Sequence, residues 1–171
     1  MALADDLWTI LGLPAHPLLV HAVVVLLPLS AVTAAALAVV PRWRQRYAWP
    51  LLALTVLGVG AVFPAQKAGE QLAARMANTQ DQLIQAHTEL GNDLLPFALG
   101  FFVVVVALLV AGRLADRERT AAADDTSVPK TWRRISVVVA VLVIAAGTAA
   151  TVQTIRIGHS GSAAVWTWVN Q

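Results

Sequence analysis

The sequence predicts an all-α integral membrane protein built as a four-helix bundle, and three observations predict it. Hydrophobic residues make up 58% of the 171-residue chain and charged residues 13%, a balance far from that of a soluble domain. The mean hydropathy is +0.68. Four apolar runs, Leu18–Val40, Ala48–Ala65, Leu94–Ala111 and Ile135–Ile155, contain no charged residue, and each is close to the roughly 20 residues with which a helix crosses hydrocarbon. Residues 1–171 therefore read as a single membrane domain.

The first run follows Asp5 and Asp6 rather than a basic leader and is too long for a signal sequence, so it reads as a retained span. Pro28 falls in its middle, where neighbouring helices or the Ser30 hydroxyl must help satisfy the freed backbone. Pro17, Pro50 and Pro96 suit first helical turns. Between the second and third runs, the 66–93 connection carries Leu72, Met76, Leu83, His87 and Leu90 at helix-like spacing, with Leu94 one turn on. It predicts an extra amphipathic helix with His87 on the apolar stripe. The polar, mixed-charge segment 113–131 reads as a flexible connection.

Basic residues set the orientation. Segments 41–47 and 112–134 hold nine of the twelve Lys and Arg, which makes them cytoplasmic and both termini non-cytoplasmic. The protein is expected as a multi-pass chain in the cell inner membrane. Its basic groups belong beside lipid headgroups, and no nucleic-acid partner is implied.

All four histidines, His16, His21, His87 and His159, then fall at the non-cytoplasmic end. With no cysteine in the chain, thiolate metal sites, iron–sulfur clusters and covalent haem attachment drop out, leaving histidine chemistry. His21 lies inside the first span, where an ionisable group should face a partner in the protein. His16 sits some 7 Å above it and about 140° around the helix, which makes it the least engaged of the four. His159 ends a stripe through Thr148, Thr151 and Ile155, flanked by Gly158 and Gly161 that fit a turn. A continuous helix would hold His87 roughly 10 Å above the third span, so a break near Gly91–Asn92 is expected.

The segments GLPAHPLLVH at 12–21, QAHTELGND at 85–93 and GHSGSAAVW at 158–166 resemble the predicted membrane protein family called domain of unknown function 2231. The resemblance covers nearly the whole chain, with Ala22 standing where an aromatic residue is expected after the second histidine. It implies four helices and a role near redox proteins, since such domains are joined in some cases to Rieske-type modules.

The leading expectation is a b-type haem near the outer face, ligated by His21 with His87 or His159, its propionates met by Arg156 or Lys67, and exchanging electrons with a membrane or redox protein partner. A second is a copper or zinc site drawn from His16, His21, His87 and His159. A third is a non-catalytic accessory subunit of a larger respiratory complex, packing through Gly58 and Gly60, with no cofactor. An enzyme is not indicated: no phosphate-binding glycine loop, serine elbow or intramembrane carboxylate pair occurs.

Overall fold

The computed structural model describes residues 8–75, 82–125 and 128–166. Asp5, Asp6, Met76 and Asp81 lie outside the described residues. A short antiparallel hairpin pairs β1 (Thr9–Ile10) with β2 (Leu13–Pro14), and six helices follow: α1 (Ala15–Val39), α2 (Arg44–Gly60), α3 (Val62–Arg75), α4 (Gln82–Asn92), α5 (Leu94–Asp124) and α6 (Thr131–Trp166). Four continuous or kinked helical rods, 15–39, 41–75, 82–123 and 131–166, are long and apolar enough to cross a membrane.

The rods form an up-and-down ring in which α1 packs on α2 and α6, and α5 packs on α2 and α6, while the diagonal pairs barely touch. Phe101, Leu27, Leu51, Leu108 and Val143 fill the axis. The outward faces are equally apolar, with Val25, Val32, Leu57, Val103, Val137 and Val141 all exposed. In water such faces would drive aggregation; in a bilayer they meet acyl chains. Trp43, Tyr47, Trp49 and Trp132 stand exposed at the basic end, with Trp8 and Trp166 at the histidine end, two levels that match the aromatic belts of a membrane protein.

Small residues let the rods approach closely. A Cβ on Gly147 would lie 3.0 Å from the Ala31 methyl, and one on Gly58 would lie 3.3 Å from the Leu26 and Leu27 backbone. Gly58, which the sequence offered to a larger complex, is thus occupied inside the bundle, whereas Gly60 faces open space. Ser30 is also buried, but its hydroxyl donates to Leu26 O at 2.7 Å on its own helix and not to Val24 O, the carbonyl that Pro28 leaves without a ladder partner.

The boundaries follow from proline chemistry. α1 stops because Val40, ahead of Pro41, is pushed out of helical backbone to φ −116° and ψ 82°. α2 begins at Arg44, earlier than the apolar run, so Pro50 lies inside the helix instead of in its first turn. The second rod breaks at Ala61, three residues before Pro64, and the third breaks at Asp93, three residues before Pro96. Each proline thereby occupies the first turn of the new helix, where its missing N–H costs nothing.

At the 91–93 break the displaced carbonyls find side-chain donors. Gln66 of α3 donates to Gly91 O at 2.7 Å and Asn92 O at 3.3 Å, and Gln153 of α6 donates to Leu90 O at 3.2 Å. The 113–131 connection departs from its expected flexible form: α5 continues helical to Asp124. The Arg119–Asp116 pair at 2.9 Å and the run Ala121–Ala123 favour helix there.

In the hairpin turn Leu11 and Gly12 both have positive φ, +53° and +79°, as a two-residue type I′ turn requires. Leu11 is 98% exposed, so it bears the left-handed cost of about 1–2 kcal/mol without burial to offset it. Leu11→Asn, giving the favoured Asn-Gly pair, is expected to raise thermal stability in detergent by about 0.5–1 kcal/mol. An unchanged or lowered melting temperature would argue against the strained turn.

Candidate functional site

The histidine end is roofed by α3, which leans on α1, and α4, which leans on α6. Beneath the roof lies a cavity of about 620 Å³ whose walls are mostly apolar, including Val20, Val24, Val62, Leu72 and Ile157. That volume is in the range of small-molecule and cofactor sites. His16, His21 and His87 all line it.

His16 sits in the first turn of α1, with its ring against α3. Its Nδ1 lies 2.9 Å from Ala65 O, and a carbonyl only accepts, so Nδ1 carries the proton. His87 projects from α4 toward α6, half-buried, with Nδ1 3.0 Å from Ser160 Oγ. The Ser160 hydroxyl donates to Ile157 O at 2.9 Å, so the bond from His87 is again an Nδ1–H donation. Because its proton is directed to that carbonyl, Ser160 is not activated as a nucleophile.

The two rings meet edge to face in the roof, centres 6.3 Å apart and planes at 78°. In the neutral form of each ring Nε2 is then the unprotonated nitrogen, the one that can bind a metal. Anchoring of the other nitrogen by a carbonyl or hydroxyl is also how ligating histidines are held.

Each ring rests on a glycine. A Cβ on Gly69 would come 2.8 Å from His16 Cε1, and one on Gly161 3.0 Å from His87 Cε1. Gly69→Ala is therefore expected to cost about 1–3 kcal/mol by overpacking, whereas Gly158→Ala, which meets open space, should be neutral or stabilising. Thermal unfolding of the two variants side by side decides this; equal stability would show that the His16 ring is not held against α3.

The other sequence candidates are placed differently. His21 is exposed and donates from Nδ1 to Pro17 O of its own helix at 2.6 Å. It lines the cavity without facing a second imidazole. His159 is exposed on α6 and does not line the cavity. No turn forms around it, because α6 runs helical through Gly158 and Gly161 to Trp166.

Lys67 is exposed, paired with Glu70 at 2.8 Å and 6.0 Å from the Phe63 ring centre. Arg156 reaches Gln153 Oε1 at 3.4 Å. Neither cation lines the cavity. Among the described residues, no three His, Asp or Glu side chains converge as a metal site.

Sequence reasoning missed the pairing of His16 with His87 and the anchors Ala65 and Ser160. A signal was present in Gly69 and Gly161: a glycine inside a helix costs about 1 kcal/mol relative to alanine and marks a place where something approaches closely.

No curated protein and no solved structure matches this chain. The sequence model of one family, described as predicted membrane protein, matches residues 12–169. That span contains all four rods and every residue of the histidine cavity, and the chain belongs to this family, domain of unknown function 2231.

Proposed function

We propose that the chain is a b-type haem protein of the cell inner membrane, holding one haem between His16 and His87 near the non-cytoplasmic face and passing electrons to or from a membrane or redox partner. The observation that carries this reading is the close pairing of the His16 and His87 imidazoles at the cavity. The two imidazoles would hold the iron through Nε2, each bond being about 2.0–2.1 Å, and their ring centres lie 6.3 Å apart. The cavity volume and its apolar lining suit a macrocycle.

Haem when bound supplies one-electron chemistry; the chain's part is to fix both imidazoles through Ala65 O and Ser160 Oγ and to keep water from the iron with Val20, Val62 and Ile157. This replaces the pairing of His21 with His87 or His159 as the first ligand set. The basic end, with Arg42, Arg44, Arg46 and Arg113 to Arg134, reads as cytoplasmic. On that orientation the termini, the hairpin and the amphipathic roof helices α3 and α4 face the periplasm or exterior, where a redox partner would dock.

A copper or zinc site finds less support, since the pair has no third ligand among the described residues. The accessory-subunit reading draws on the wide apolar faces of α1 and α6. The visible spectrum of the detergent-purified chain, oxidised and then reduced with dithionite, tests the proposal. Sharp reduced α and Soret bands at one haem per chain are expected. A protein that stays colourless after haem is added, yet co-purifies with a larger assembly, would instead establish the accessory role.

A further inference from the structure

A second cavity, also about 620 Å³, lies at the opposite end between the last turn of α1, the start of α2, the extension of α5 and the start of α6. Five cations line it: Arg44, Arg119, Lys130, Arg133 and Arg134. No acidic residue is among the described residues of its lining.

The nearby carboxylates are already engaged. Asp116 pairs with Arg119 at 2.9 Å, while Glu118 accepts from the backbone N–H groups of Trp132 at 3.2 Å and Arg133 at 2.9 Å, capping α6. Arg44 is the least solvated of the five, only 6% exposed. Its Nε donates to Leu37 O at 2.9 Å and its Nη2 to Ala38 O at 3.1 Å, closing the end of α1. Its Nη1, held against Gly112, has no partner.

A buried guanidinium is ordinarily matched by an anion. Here Asp116 attracts Arg44 but is shared with Arg119, which repels it. From the basic cluster, α6 continues as an exposed apolar strip, Val137, Val141 and Ile144, which forms the cavity's remaining wall.

We infer that this cavity is a specific site for an anionic phospholipid, with the phosphate among Arg44, Arg119, Lys130, Arg133 and Arg134 and an acyl chain along Val137, Val141 and Ile144. Cations grouped between helix ends at headgroup depth are the chemistry that captures lipid phosphate, and arginine suits phosphate oxygens because its planar fork donates two hydrogen bonds at once. A free phosphate would satisfy the cations equally well. The apolar wall is what favours a lipid.

Native mass spectrometry of the full-length chain in detergent, titrated with phosphatidylglycerol, phosphatidylcholine or inorganic phosphate, tests the site. Phosphatidylglycerol should bind at least tenfold more tightly than phosphatidylcholine, and inorganic phosphate should not displace it. The double variant Arg133→Gln, Arg134→Gln should weaken phosphatidylglycerol about fivefold for each charge removed. Arg113→Gln with Arg117→Gln, two exposed cations outside the cavity on α5, should leave binding nearly unchanged. Equal loss in both double variants would mean a diffuse surface field and overturn the site. Displacement by phosphate, or no preference over phosphatidylcholine, would overturn the lipid assignment.

Discussion

His87→Ala and His16→Ala are each expected to abolish the reduced α and Soret bands of the purified protein, while His21→Ala and His159→Ala keep them. The contrast rests on geometry: the His16 and His87 rings pair edge to face with centres 6.3 Å apart, and each directs Nδ1 to a protein acceptor on another helix. On the proposed haem reading each of these two imidazoles would hold the iron, so spectrum and haem retention should change together in either variant. Retained secondary structure by circular dichroism separates this loss from unfolding. Ser160→Ala should give an intermediate result, with haem retained but more weakly, since a group that anchors the far nitrogen of a ligating histidine is typically worth about 10–100-fold in affinity. Bands lost in His21→Ala and kept in His16→Ala would return the ligand assignment to His21.

The second large effect is structural. Gln153 is 4% exposed and is the donor that reaches Leu90 O where α4 gives way to α5. Gln153→Leu keeps the bulk but leaves that carbonyl unpaired in apolar surroundings, which costs about 1–3 kcal/mol. Gln66→Leu strips Gly91 O and Asn92 O of their donor in the same way. Both variants should lower the thermal midpoint in detergent, and the double variant should do so by more than either alone. If neither single variant shifts the midpoint, packing alone holds the break.

Much of this architecture is legible in the sequence, and the reason is the solvent. A bilayer demands long uninterrupted apolar helices, so composition and run length determine the number of rods, and Arg-rich connections distinguish one end from the other. A break near Gly91–Asn92 also follows from sequence, because His87 otherwise stands too far from the bundle. The partners of the histidines do not follow. His16 appeared remote because rise and rotation relate it only to His21 on the same helix, whereas its neighbours come from α3 and α4, whose lean is set by packing. Charge alone assigns Arg156 and Lys67 to the propionates of an expected haem, yet Arg156 lies against Gln153, Lys67 against Glu70, and neither lines the cavity. The helical extension of α5 was hidden for another reason: polar composition describes exposure, and an exposed segment with good helix formers and an i,i+3 ion pair remains a helix.

The glycine seats carry a consequence for biosynthesis. The first imidazole comes from residue 16 and rests on residue 69, while the second comes from residue 87 and rests on residue 161. The site thus draws on all four rods, and its last component, Gly161, comes from the fourth. A ribosome that has inserted three rods has made both histidines but only one seat, so the His87 ring has no fixed rotamer until the fourth rod enters and delivers Ser160 and Gly161. Such long-range closure is slow compared with forming the helices themselves. A chain truncated before residue 158 would therefore have both imidazoles but neither Ser160 nor Gly161 to hold the His87 ring.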